Sequence, residues 1–346
     1  MRNQQKRLRH ILFSCIFSIV LFLVGSSQPY SNQEEQFDFA ISESFLKMLA
    51  DGKTIQPVLK IQLTARTGRG VHTLAKDCEI HIAGIPELNL GYPNDIVVEP
   101  PNLCKFAPEG VEVRPETQLR EKIWPKILDD KIMNKHCEVQ GFIRIFTEHA
   151  QGSIDPANPN HVFEIHPAMS IKAGNETLSF QNFLTAFEGM SHVKPTTTAS
   201  CIQDRKLEVR YNKTENQYEF RGEGGRCGNF AIIEVSNVRK EWIRSLDGGH
   251  SAIARISPDG ESTTTLKLYT LTGSEADSWL QGLMDGNRSS QRVLLLGLFT
   301  YDYFSIVRAV RTKDGVWPQD QNWNRVDFPL AFVVFGQTEE IPWEEE

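Results

Sequence analysis

Alternation of apolar and polar residues with a period of two runs through most of this chain, and helical spacing is confined to short stretches. Strands are predicted over 58–65, 78–83, 96–99 and 137–147, the last with Gly141 inside it at a bulge or a close backbone approach. A further strand over 160–167 reads Asn-His-Val-Phe-Glu-Ile-His-Pro. Side chains alternate across a strand, so Glu164 and His166 share one face while Phe163 and Ile165 share the other. The segment 76–82 does the same, setting Asp77, Glu79 and His81 against Cys78, Ile80 and Ile82. Leu119, Ile123, Ile127 and Leu128 are spaced for a helix over 116–131, limited by Pro125; short helices are predicted over 42–49 and 180–190. Five or so strands with one inserted helix suit a small closed barrel of the OB type better than an open sheet.

The second half is again mainly strand. Residues 207–212 and 217–222 flank a polar turn and read as a hairpin, and 230–235, 252–256 and 264–271 are further strands. Ser274-Glu-Ala-Asp277 is a capping-box-like start for a helix through Leu283. The apolar run 293–310 is interrupted by Asp302 and Arg308 and reads as two buried strands, not a membrane span. The expected fold class is mainly β (α+β), an OB-like small barrel over 54–185 followed by a second β-rich domain with one helix over 201–346. Residues 186–200, with Pro195 and a threonine run, form the linker between them.

Composition and charge narrow the picture. With 346 residues and 40% hydrophobic content the chain can fill two ordinary cores. A net charge of −7 argues against a protein that coats nucleic acid. At the N-terminus, Lys6, Arg7 and Arg9 precede an apolar run over 11–24 and then Gly25-Ser26-Ser27. That is the layout of a secretory signal peptide over 1–27, too short to span a bilayer, with a leader and short helix over 28–53. Export is expected, periplasmic or extracellular, with no integral membrane span after cleavage.

Cys15 would leave with the signal, so Cys78, Cys104, Cys137, Cys201 and Cys227 remain, an odd number. Cys201 and Cys227 close a short loop inside one predicted domain and are the favoured disulfide. Two of the three earlier cysteines can form another, and the sequence does not choose among them.

Four motifs in order carry a resemblance: Asp77-x-Glu79-x-His81; Glu99-Pro100 followed by Cys104; Gly141 through Glu148-His149; and Glu164-Ile165-His166-Pro167. Over residues 60–172 the chain resembles a group of small exported bacterial proteins of unknown function. Their pattern is Asp-x-Asp-x-His, Val/Glu-Pro with a following Cys, a Gly-containing strand ending in an acidic residue and His, and Glu-Leu-His-Pro. Glu79 replaces the second Asp, and the insertions around 85–95 and 150–160 are this chain's own. The resemblance implies an OB-like domain and carries no activity with it.

Two readings of these polar rows stand side by side. In one, some of Asp77, Glu79, His81, Glu99, Glu148, His149, His161, Glu164 and His166 converge on a divalent metal, zinc, manganese or iron, which with an open position activates water; His81, His166, Glu79, Glu164, Asp77 and His149 are the ligand candidates. In the other, the groups bond one another and the loop backbones. His149 and His161 bound a Gly/Pro/Asn-rich loop over a barrel mouth. Arg221-Gly-Glu-Gly-Gly-Arg226 lacks the Lys-Ser/Thr of a phosphate loop and reads as a hairpin tip. Trp242 through Arg244 and the tail tryptophans Trp317, Trp323 and Trp343 either pack or stack on sugars or bases. No Gly-x-Ser-x-Gly or His-Glu-x-x-His motif occurs. The expectation is an exported binding or envelope-associated protein using the barrel face that bears His81, Glu79, Glu164 and His166. Acidic lining repels phosphate, so carbohydrate, peptide or protein partners are favoured over nucleic acid. The alternative is a metal-dependent hydrolase of a phosphodiester or glycan at the same cluster.

Overall fold

The computed structural model describes residues 36–51, 54–66, 78–112, 114–150, 153–186, 206–223, 230–257, 263–287, 292–302, 323–326 and 330–338. The expected signal segment, Asp77, the expected linker beyond residue 186, Cys201, Cys227, Trp317 and Trp343 all lie outside them.

The first barrel is built from β2 (Val58–Arg66), β3 (Ile82–Pro86), β5 (Ile96–Val98), β6 (His136–Ile145) and β7 (Phe163–Ala173). The pairing runs β2–β3–β5–β7–β6 and back to β2, antiparallel throughout except for the parallel pair β5–β7, which closes the barrel. Helical residues 116–131 connect the third strand to the fourth, as the spacing predicts. This is the five-stranded Greek-key order of an OB barrel.

The second half repeats that order. Its strands are β11 (Phe230–Ser236), β13 (Gly249–Ser257), β14 (Thr264–Leu271), β15 (Val293–Tyr301) and β17 (Leu330–Thr338). They pair β11–β13–β14–β17–β15 and back to β11, again with one parallel pair, β14–β17. The helix Glu275–Asp285 again joins the third strand to the fourth. Its Ser274 cap accepts a hydrogen bond from Asp277 N–H, the start read from the capping box. The second half thus also closes as an OB-type barrel, a repeat of topology with no repeat of sequence to announce it.

A third sheet runs β16–β9–β10–β1–β4, from β16 (Asn324–Val326), β9 (Lys206–Asn212), β10 (Gln217–Glu223), β1 (Gln36–Ser42) and β4 (Gly91–Tyr92). β9 and β10 are the predicted hairpin. β1 falls where a flexible leader was expected; its Phe39 is buried and stacks on Phe220 of β10 at 4.8 Å.

Two local expectations are corrected. Residues 78–81 are irregular, not strand: Leu103 N–H donates to Cys78 O, and Cys78 is bonded to Cys104, so the segment is held by its own loop instead of a neighbouring strand. The helix expected from Phe180 is a single 3₁₀ turn, Gln181–Phe183. Asn102 Nδ2 donates to Phe183 O at 2.5 Å and Thr185 O at 2.9 Å, taking carbonyls that a helix would use.

Both barrels carry a glycine at a register shift in the fourth strand, Gly141 and Gly297. A Cβ at Gly141 would lie 2.4 Å from Pro167 O, and one at Gly297 2.1 Å from Val333 O, so only glycine lets the fourth and fifth strands approach. Gly141→Ala and Gly297→Ala are each expected to lower unfolding free energy by about 1–3 kcal/mol in denaturant titration. The Cys78–Cys104 bridge spans 26 residues, and replacing both cysteines with alanine should cost about 2–5 kcal/mol in the same assay.

Candidate functional site

The site grows from the alternation in β7. Antiparallel register sets Arg144 opposite Glu164, and Ile143 opposite Ile165. Ile143, Ile145, Phe163 and Ile165 line the barrel interior, while Arg144, Glu164 and His166 project outward. The outward row is nevertheless buried, Glu164 at 2% exposure and His166 at 0%, because the second barrel lies over it. The His166 ring meets Phe230 and Phe335 edge-on at 5.8 and 5.3 Å. Arg144 Nε donates to Phe299 O at 2.8 Å, and Ile145 N–H donates to Thr300 Oγ1 at 3.1 Å. The expected open face is therefore an internal seam between barrels.

Three other segments feed this seam. Glu99 follows β5 and is strapped to β7 at both ends, its N–H to Ile165 O and its carbonyl to Ala168 N–H. Glu79 and His81 come from the disulfide-held loop and are buried at 0% and 1%. His149 and His161 close the 150–160 loop, His161 N–H donating to His149 O, and their rings stack at 5.1 Å.

Around Glu164, Arg144 Nη1 donates to Oε2 at 2.6 Å and His161 Nε2 bonds Oε1 at 3.2 Å. His161 Nδ1 lies 2.6 Å from Pro159 O, so both its nitrogens face oxygens. Arg144 Nη2 also reaches Glu148 at 3.3 Å. His166 Nε2 bonds Glu79 Oε1 at 2.7 Å. The other nitrogen is different. His166 Nδ1 lies 3.0 Å from Glu99 Oε2, yet the angles are not those of a hydrogen bond, and neither atom has a hydrogen-bond partner among the described residues. His81 Nε2 is 3.5 Å from the same Glu99 oxygen, and Glu164 Oε2 is 3.5 Å from His166 Nδ1.

The electrostatics separate two carboxylates in one site. Burial pushes the Glu99 pKa well above the carboxylate range, with Glu164 and Glu79 adding to the rise. Burial works the same way on Glu164, but Arg144 beside it and the hydrogen bond from His161 hold it well below that range. Burial lowers the pKa of His149, favouring its neutral ring.

Of the expected site residues, Glu79, His81, Glu164, His166 and His149 are brought together, and Asp77 lies outside the described residues. Glu79, Glu99 and His166 form one group of potential metal donors, and Glu99, His161 and Glu164 another. Arg144 was missed in the sequence, although it lies opposite Glu164 once the two strands are paired. Glu99 was read only as part of the cluster and proves to be its centre.

Two further polar clusters lie in the other barrel. Asp277 Oδ1 accepts from Thr270 Oγ1 and bonds His250 Nδ1, both at 2.8 Å, while Asp302 accepts from Tyr269 and Lys267. Among the described residues Cys78 pairs with Cys104 and Cys137 is a buried free thiol, its pKa raised to about 11 by burial. No helix among the described residues is long and apolar enough to cross a membrane.

Linkage gives the two carboxylates opposite signs. Glu164, depressed in the folded chain, adds stability above the ordinary carboxylate range that is lost as pH falls through its folded pKa. Glu99, raised, favours the folded chain at low pH, and that contribution declines as pH rises toward its folded pKa. In chelator at pH 8, Glu164→Gln should destabilise by about 3–5 kcal/mol, leaving Arg144 without its partner. Glu99→Gln should match or exceed the wild type under the same conditions, and thermal melts from pH 4 to 8 read both.

No protein-family model, curated protein or solved structure matches this chain.

Proposed function

We propose that this is an exported, non-enzymatic binding or envelope-associated protein whose ligand surface is the open face of the second barrel. The observation that carries this reading is the covered state of the first barrel. OB barrels take ligands across their second and third strands, between the loops joining strands one to two and four to five. In the first barrel those two loops, which hold Glu79, His81, His149 and His161, belong to the buried seam together with Glu99 after the third strand and the outward rows of the fourth and fifth strands, while Ile85 on the second strand is 50% exposed. In the second barrel, β13 and β14 leave Ile253 40% exposed, beside exposed Arg255 and Thr265 and partly buried Lys267. The segment joining β11 to β13 adds Trp242, 36% exposed, with the Arg239 guanidinium 4.6 Å over its ring.

An exposed indole with flanking hydrogen-bonding side chains suits a carbohydrate, peptide or protein ligand, which the net charge of −7 also favours over nucleic acid. The N-terminal basic, apolar and small-residue layout supports export, and the Cys78–Cys104 bridge belongs in an oxidising compartment. The second reading, a metal-dependent hydrolase, draws on the donor groups of the seam. It requires a phosphodiester or glycan to reach Glu79, Glu99 and His166, which are at most 2% exposed, so the barrels would have to part.

Calorimetric titration of the mature chain with cell-envelope oligosaccharides and peptides tests the first reading. Trp242→Ala and Ile253→Asp should each weaken binding at least about tenfold with melting temperature unchanged. Undiminished binding in both variants would remove the second barrel's face from consideration.

A further inference from the structure

We propose that the seam between the barrels is a binding site for one divalent transition-metal ion, zinc by its donor set, centred on His166 Nδ1 and Glu99 Oε2, with Glu164 Oε2 and His81 Nε2 each 3.5 Å from one atom of that pair. The proposal stands on geometry and does not rest on the ligand face of the second barrel.

The first argument is the orphaned pair. With the ring proton on Nε2, toward Glu79 Oε1 at 2.7 Å, Nδ1 offers a lone pair. That lone pair faces Glu99 Oε2 at 3.0 Å without hydrogen-bond geometry, and both atoms are buried and lack a hydrogen-bond partner among the described residues. Two electron-rich atoms this close repel in a low-dielectric interior, and a cation between them turns the repulsion into coordination.

Spacing supplies the second argument. Zinc bonds nitrogen and oxygen at about 2.0–2.2 Å, so tetrahedral donors lie about 3.3 Å apart. The separations here are 3.0 Å for His166 to Glu99, 3.5 Å for His166 to Glu164 and 3.5 Å for His81 to Glu99. Glu79 then has the part carboxylates take behind metal-bound histidines, accepting the second ring N–H and fixing the ring.

Charge supplies the third. Glu79, Glu99 and Glu164 are each at most 2% exposed, and Arg144 is the guanidinium set among them. A dication offsets the excess negative charge that burial would otherwise suppress by protonation. With Phe230 and Phe335 against the His166 ring, an ion here would fasten one barrel to the other.

The test is elemental mass spectrometry of the untagged mature chain purified without chelator, followed by zinc titration of the chelator-stripped protein. We expect about one equivalent of metal per chain and a rise in melting temperature as stripped protein takes up zinc. His81→Gln and Glu99→Gln should each lower the content below about a tenth of an equivalent while the circular dichroism spectrum is retained. His81→Gln keeps the test decisive should Glu99→Gln fail to fold. A folded chain that carries no metal and shows no zinc-dependent stabilisation overturns the proposal, as does full metal content in both variants. In that case a proton shared by Glu99 and His166 holds the seam.

Discussion

The structure turns on a buried guanidinium. Arg144 leaves the outward face of the first barrel's fourth strand, donates to Glu164 on the fifth, and donates again to the backbone of Phe299 in the second barrel. A charge at 1% exposure persists only where its donors are met, and here a carboxylate and a carbonyl from two different barrels meet them. The contact therefore does two jobs. It keeps Glu164 ionised inside the protein, and it makes the position of the second barrel a condition for satisfying the first.

The repeated topology explains how such a seam can exist. Each barrel has the same strand order, the same parallel closure and a helix at the same step. Each also has a glycine at the register shift of its fourth strand. What differs is the outward face. On the fourth and fifth strands of the first barrel it carries Arg144, Glu164 and His166 and is spent on contact with the neighbouring barrel. In the second, Ile253 and Arg255 stay at the surface. Duplicated architecture with divided faces suits one barrel to serve as a platform and the other to meet partners, the arrangement behind the proposed binding role.

The seam has two ways to settle its electrostatics, and they are chemically exclusive. Burial drives Glu99 toward its neutral form, while His166 Nδ1 faces it without a bonding geometry. A proton or a cation resolves the conflict, and each would leave a different dependence on pH and chelator. Either way the cluster works as a fastening between barrels in this closed form, because solvent does not reach its donor atoms.

Period-two alternation by itself determined the β-rich class, most strand positions and the facing of Glu164 and His166 away from Phe163 and Ile165, and the Ser274-to-Asp277 capping pattern marked the helix. These follow from local geometry, in which each side chain's direction depends only on its neighbours along the strand. The OB barrel of the first half was legible for the same reason, helped by the helix between its third and fourth strands. Only the tertiary structure decided that the polar face is buried. Whether an outward side chain meets water or another barrel depends on contacts such as Arg144 to Phe299, 155 residues apart. Strand pairing also decided the second barrel, whose closure rests on β14 beside β17 across a wide gap in sequence. The Cys78–Cys104 pairing likewise required the loop that brings the two Cα atoms to 5.0 Å.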